Sequence, residues 1–311
     1  MSEYYVGILI LVCINLLSVL GLSLLTGFTG LFNFGQAGFM AIGAYTAAIL
    51  TTHYHAPFLL ALIAGMITST LASFIIGLPT LRLKGDYFAI ATLGFAEAIR
   101  LLVENLEKIT GGARGIPRIH TYTTLPVALI AAILALILVA NYVRSRHGRN
   151  CVAIREDELA AEAIGIDSFR YKQVSFAINA LLAGLSGGLL AHYVGFIQPS
   201  MFGIVKSTEL IVMVIFGGMH SLTGAVFAAL TLTSLPEVLR AAQAWRLVAY
   251  GALVVAIMIF RPEGLMGSWE LTPRNLKKLG LRIQKAFRPA TGPSGVEVEA
   301  IRPSVEVEKE S

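Results

Sequence analysis

The chain has 311 residues, 56% of them hydrophobic and only 14% charged, with a mean hydropathy of +0.73 and a formal net charge of +5. A soluble globular domain carries about a quarter charged residues, so this composition excludes a water-soluble enzyme or binding module. Apolar runs of the roughly 20 residues needed to cross a bilayer recur, without the short alternating segments of a transmembrane barrel. The fold class is therefore all-α, a polytopic integral membrane protein of about 9–10 transmembrane helices.

The first run, "MSEYYVGILILVCINLL", has no positive n-region and no small-residue cleavage site, and is expected to be a retained first span. Nine spans are predicted, at 5–26, 31–51, 57–79, 87–103, 124–143, 172–192, 207–219, 221–237 and 246–260. Pro57, Pro79, Pro126, Pro199, Pro236 and Pro262 fall near their edges, where a missing N–H does least harm. The 31–51 segment is rich in glycine and polar residues, and 207–219 is short for a full crossing. A tenth span hidden around 26–50 would reverse the N-terminus alone.

Lysine and arginine set the orientation. One alternation collects Arg82, Lys84, Arg144, Arg146, Arg149, Arg155, Arg170 and Lys172 with the basic tail after 260. The other side receives Lys108, Arg114, Arg118, Lys206, Arg240 and Arg246. The 144–171 loop and the C-terminus are thus expected in the cytoplasm, and the N-terminus outside if there are nine spans. Residues 1–267 form the membrane domain. Residues 268–289 contain the stretch "PRNLKKLGLRIQKAFR", whose apolar residues recur at helical spacing among basic ones, as suits the lipid surface of an anionic leaflet. Residues 290–311 are too poor in large apolar groups to form a core and are expected to be disordered.

Cys13 and Cys151 are far apart in sequence and dissimilar in setting, against a disulfide framework or a metal cluster. His53 and His55, close together on a short external loop, are a weak metal candidate, and no metal site is expected. No phosphate-binding loop occurs: "TGGARGIPR" lacks the lysine–serine ending, so the chain is not expected to hydrolyse ATP. Nothing points to nucleic acid. Glu97 and Arg100 are spaced to pair on one helix face, and Glu209 is expected at an interface near Lys206. Asn15 and Asn179 are candidates for hydrogen bonds between helices.

Glycines interrupt two apolar segments, "GFTGLFNFGQAGFMAIGAY" and "FGGMHSLTG". Such interruptions accompany either close helix packing or broken helices around a pathway. Asn33, Gly35, Gln36 and Gly38, with Gly217, Gly218 and Ser221, are the candidate pathway residues. The remaining feature is "VAIREDELAAEAIGID", 152–167, an acidic and alanine-rich stretch in the cytoplasmic loop. A helix over 152–164 is predicted, ended by Gly165 as a left-handed residue, with Asp167 or Ser168 capping the helix that follows. The elbow so formed is thin at Ala160, Ala161 and Ala163, and Arg155, Glu156, Asp157 and Glu158 surround it with charges that can pair with a soluble partner.

"GRNCVAIREDELAAEAIGID" resembles the cytoplasmic loop of the permeases of bacterial high-affinity branched-chain amino acid ABC importers, more closely the M-subunit type. "LRLKGDYFAIATLGFAEAIR", "TGGARGI", "AGLSGGLLAHYVGFIQP", "VIFGGMHSLTGAVFAAL" and "IMIFRPEGLMG" extend the likeness over about residues 20–267. The resemblance implies an inner-membrane importer with a second, related permease, two ATPase subunits that hold ATP and magnesium, and a periplasmic binding protein that delivers the amino acid. It also implies that the elbow inserts into a cleft on the ATPase. Ala160, Ala161 and Gly165 match that family's loop, whereas Leu159 stands where a glutamate is usual and Glu158 comes one place earlier. Importers of urea and short-chain amides have similar permeases. A self-contained carrier using Glu97 or Glu209 as a proton site, and a channel-like facilitator, are the readings from other classes; the facilitator would not need the alanine elbow.

Overall fold

A computed structural model describes residues 2–83 and 85–238, with Gly251, Val255, Gly264 and Gly267 as isolated positions beyond them. In chain order the helices are α1 (Ser2–Ser23), α2 (Gln36–Thr52), α3 (Phe58–Thr80), α4 (Asp86–Asn105), the single turn α5 (Glu107–Thr110), α6 (Leu125–Arg144), α7 (Arg146–Glu156), α8 (Glu158–Ala163), α9 (Ser168–Val194), α10 (Ile204–Gly217) and α11 (Leu222–Val238). A π-helical turn, Leu24–Phe28, closes α1. Among the described residues there is no β-strand; an isolated antiparallel bridge joins Ile116 to Ile197.

The bundle is organised around α9, and the pairings run in a constant sense. Gly7 faces Tyr193, Ser186 Oγ donates to Ile14 O at 2.7 Å, and Gly21 faces Asn179, so α1 is antiparallel to α9. Gly43 lies against Gly184 and Thr51 Oγ1 meets His192 Nε2 at 3.0 Å, so α2 is parallel to it. Helix α3 returns along both, with Ser69 Oγ donating to Phe39 O and Gln173 Nε2 donating to Ser73 O. A Cβ on Gly43 would lie 2.2 Å from Gly184 O, so the two backbones touch. In hydrocarbon, where water gives no drive to cluster apolar groups, contact of this closeness holds helices together by dispersion. Helix α4 packs on α2 through Phe95 and Phe39, and α6, α10 and α11 pack on α1.

Enclosure differs sharply between helices. Helices α1 and α9 are surrounded over most of their length, and α9 also encloses Lys172 near its start and His192 near its end. Helices α3 and α6 bury one stripe of small residues, Ala61, Gly65, Ser69 and Ser73 on α3 and Ala128, Ala132, Ala135 and Val139 on α6, and expose leucine and isoleucine on the other. That is the arrangement of helices bordering lipid.

Eight of the nine predicted spans coincide with described helices; 246–260, apart from Gly251 and Val255, lies outside the described residues, as do 268–289 and 290–311. Among the described residues five stretches, Glu3–Phe28, Phe58–Thr80, Leu125–Arg144, Ser168–Val194 and Pro199–Gly217, are long and apolar enough to cross a membrane, and Leu222–Pro236 is shorter. Several starts move, among them that of the 172–192 span, which begins at Ser168. The 31–51 span begins only at Gln36, because 29–35 is irregular, and the 207–219 span starts earlier, at Ile204. Between α1 and α3 there is one helix, α2, running opposite to each, so no tenth span is hidden around 26–50.

Candidate functional site

The elbow is built by capping. Ser145 Oγ accepts from His147 N and Gly148 N at 3.1 and 3.4 Å and starts α7. Cys151 seats α7 on the bundle, with Sγ 3.3 Å from Ser175 Oγ on α9 and 3.7 Å from Tyr142 Oη on α6. The single helix predicted over 152–164 is in fact two. Asp157 is extended, φ −155° and ψ 107°, and its Oδ1 accepts from Ala160 N at 3.0 Å. An aspartate is a better N-cap than helix interior, because its carboxylate satisfies a donor the helix leaves free. The chain breaks there and α8 begins.

The end of α8 follows the prediction. Gly165 has φ +88°, its N–H donates to Glu162 O at 2.9 Å, and Ile166 N donates to Ala161 O at 3.1 Å. This paired closure requires a left-handed residue at Gly165. Of the two predicted caps for the next helix, Asp167 takes the role, its Oδ1 accepting from Arg170 N at 3.1 Å.

The charges of the elbow are used largely within the chain. Lys172 pairs with Glu158, and Asp157 is the cap. Arg155 turns inward, its Nη1 donating to Gly27 O at 2.6 Å, while Nε and Nη2 hold Glu156. The hydrogen bond from Arg155 keeps the Glu156 carboxyl below the usual carboxylate range. Part of the outward face is apolar. Leu159 is 69% and Ile164 77% exposed, beside exposed Ala160 and Ala163, whereas Ala161 is buried. Glu162 and Glu156 form an exposed acidic rim.

The two glycine-broken segments are buried for most of their length, with Gly30, Phe32 and His220 exposed, and they meet each other. In the first, Asn33 Oδ1 accepts from Gly35 N at 2.8 Å, Asn33 Nδ2 donates to Gln36 Oε1 at 3.3 Å, and Gln36 Nε2 donates to Ser18 O at 3.1 Å. Ser207 of α10 caps α2 by accepting from Ala37 N at 3.0 Å. Gly35 and Gly38 lie against Thr92 and Ala96 of α4. In the second segment Gly217 lies on Gly224, Gly218 has φ +103°, and Ser221 Oγ accepts from Gly224 N at 3.1 Å. The contact between the segments is at Gly27, where a Cβ would lie 1.7 Å from Met219 O. Asn33, Gln36 and Ser221 have no exposed surface.

Among the other polar candidates, Asn15 bonds between helices as expected: its Nδ2 donates to Thr233 Oγ1 and its Oδ1 accepts from Lys206 Nζ, both at 3.1 Å. Asn179 does not. It is fully buried, and neither amide atom has a hydrogen-bond partner. Arg100 pairs with Glu97 at 2.5 Å and also with Glu104 at 2.9 Å, and Glu209 pairs with Lys206 at 3.1 Å. Both candidate proton sites are therefore ion-paired. Among the described residues no group of three or more metal-ligating side chains occurs.

Residues 4–261 match the family model described as branched-chain amino acid transport system / permease component. The chain belongs to this permease family. It is 35% identical over 300 residues to the high-affinity branched-chain amino acid transport system permease protein LivM of Escherichia coli, covering 85% of this chain and 70% of that protein. LivM of Salmonella typhimurium is 34% identical over 299 residues, with the same coverage. LivH of Escherichia coli, a high-affinity branched-chain amino acid transport system permease protein, is 25% identical over 286 residues, 82% of this chain and 92% of that protein. No solved structure matches. Family and fold agree: the chain is a multi-pass membrane permease component.

Sequence reasoning did not single out Thr92, Ser207 or Ser18, the small polar partners that hold the first broken segment. Small hydroxyls inside apolar spans are too common to stand out without knowing what they face. Lys172 carried a usable signal, a lysine at the very start of a span and 14 residues after Glu158.

Proposed function

We propose that this chain is the permease subunit of an ATP-driven importer of the branched-chain amino acids leucine, isoleucine and valine. It works in the inner membrane, elbow and C-terminus in the cytoplasm, beside a second homologous permease. Two ATP-binding subunits hold ATP and magnesium, and a periplasmic binding protein delivers the substrate. The chain itself supplies docking and passage, without a bound cofactor.

The elbow carries this reading. It stands at the end of the bundle where basic residues collect, its backbone fixed by three side-chain caps and a glycine closure, and it offers an apolar face with an acidic rim. Exposed leucine and isoleucine outside the lipid belt are a costly surface for a free loop and a good one for a cleft on another protein. Of the elbow residues, Ala160 leaves room for close approach, Glu156 supplies charge at the rim, and Asp157, Ala161, Glu158 and Gly165 hold the shape. Glutamate at the usual family position is replaced by Leu159, so burial of an apolar side chain takes over there from charge pairing.

Passage is assigned to the glycine-broken segments, Asn33, Gly35, Gln36 and Gly38 with Gly217, Gly218 and Ser221. Neutral amides and backbone suit a zwitterion that must not be held, since a fixed charge would slow its release. Selectivity then rests on the binding protein.

The test is reconstitution of all subunits in liposomes with leucine or urea on the binding-protein side. Leucine uptake that needs ATP and both ATPase subunits is expected, with Leu159→Glu weakening co-purification of the ATPases. Leucine uptake by the lone chain, driven by a proton gradient, would refute the reading, and uptake of urea in preference to leucine would reassign the substrate.

A further inference from the structure

Arg155 was expected to face a soluble partner, and its side chain instead reaches into the bundle with about a fifth of its surface exposed. Its guanidinium holds two groups at once, the Gly27 carbonyl and the Glu156 carboxylate. Gly27 belongs to the π-helical turn that ends α1, where carbonyls lose their helical donors and the helix dipole is negative. A cation there satisfies both needs. The Arg155 stem is equally specific. It crosses Gly30, which has φ +78° and where a Cβ would lie 2.8 Å from Arg155 Cγ.

On its other side Gly27 presses on the Met219 carbonyl, in the link between α10 and α11. His220, next in sequence, lies within the field of Arg155 and Glu156. The broken end of α1 thus lies between two segments distant in sequence, held by Arg155 at the end of α7 on one side and pressed on Met219 of the α10–α11 link on the other. The docking face begins four residues on, at Leu159.

We propose that Arg155 is a positioning residue that ties the elbow to both glycine-broken segments, so that displacement of the elbow by a docked ATPase is carried directly to Gly27 and Met219. This rests on the reading of the elbow as the ATPase dock. An arginine suits the task because its planar fork can bond a carbonyl and a carboxylate in different directions, which a lysine's single ammonium cannot do in the same geometry. Glu156 orients the fork, and Gly27 receives the motion.

The experiment uses the complete importer in liposomes. Arg155→Met should leave subunit stoichiometry and basal ATP hydrolysis near wild type while leucine transported per ATP falls about ten-fold or more, the scale of one lost charge-assisted hydrogen bond. Glu156→Gln, which spares the Gly27 contact, should fall much less. In parallel, nitroxide labels at Glu162→Cys and His220→Cys report the separation between elbow and link in a chain that keeps Arg155. That separation should stay constant between nucleotide-free and ATP-bound states, because the two move as one body. A separation that changes with ATP, or an Arg155→Met importer with normal transport per ATP, would overturn the tie. Loss of the ATPases from Arg155→Met alone would overturn it too, by making Arg155 an interface residue. Failure of the wild-type chain to retain ATPases would instead remove the docking reading. If Arg155→Met does not accumulate, the label separation decides.

Discussion

Between Ser145 and Asp167 the backbone is held by side chains: a serine cap, two aspartate caps, and ion pairs from Arg155 and Lys172. Between Gly27 and Gly43 buried side-chain bonds from Asn33, Gln36, Thr92 and Ser207 are joined by close approach to other main chains, at Met219, Thr92, Ala96 and Gly184. The elbow faces water, where each polar contact is worth about 1 kcal/mol and can be lost singly. The interior faces protein at membrane depth, where an added methyl must displace a main chain. A surface meant to meet a partner tolerates small losses; a packed interior does not.

The largest expected effect therefore lies inside. Gly43→Val places its side chain on the Gly184 backbone and should cost several kcal/mol, seen as loss of monodisperse protein after detergent extraction. A well-behaved Gly43→Val protein would break the contrast. Next comes Gly165→Val. It must adopt a left-handed conformation at a cost of about 1–2 kcal/mol, distorting α8 without touching the bundle. Extraction should be normal and ATP-linked leucine uptake lost; normal uptake would remove the elbow from the mechanism. Asp157→Ala should cost about 1 kcal/mol, read as a slightly lower thermal midpoint of the solubilised complex and partly weakened ATPase retention.

The smallest effect is on pH, and it sharpens where the two regions meet. Burial, then the Arg155 charge, holds the His220 imidazole below its ordinary value, against the opposing pull of Glu156. The group is neutral when folded, so its contribution is complete above about pH 6.5 and is lost as pH falls through the lowered value. Stability of the complex should decline modestly as pH falls from about 6.5 through that lowered value, and His220→Gln should flatten the decline. Glu156, also depressed, contributes above about pH 4.3 and is lost only below it, outside this window. A decline unchanged in His220→Gln would place the sensitive group elsewhere.

Legibility in the sequence follows the same division. Span positions, the Gly165 turn and the Asp167 cap were readable, because apolar length, a left-handed residue and a capping carboxylate are local signals. The break at Asp157 had the same local signal, and the long alanine-rich run obscured it. Arg155 could not be placed. Its partner is the carbonyl of Gly27, 128 residues away, and a carbonyl has no letter in the sequence. Asn179 was misread for a related reason: an asparagine in a span announces a hydrogen bond, yet this one closes onto Gly21 with both amide atoms unpartnered. The glycines of the broken segments were visible, while what each one lies against was set by tertiary packing.

One mechanical consequence follows from the cap at Asp167. Helix α9 starts there and runs unbroken for 27 residues, about 40 Å, so the elbow is mounted on the end of a rigid rod. A tilt of about 5° at the mounting would sweep the far end through about 3.5 Å. That end stops at Gly195, and two residues later Ile197 exchanges backbone hydrogen bonds with Ile116, N to O at 2.9 and 3.2 Å. The sweep is thus delivered to the 115–119 segment at the opposite mouth of the bundle, giving the molecule a lever arm that spans it from one face to the other.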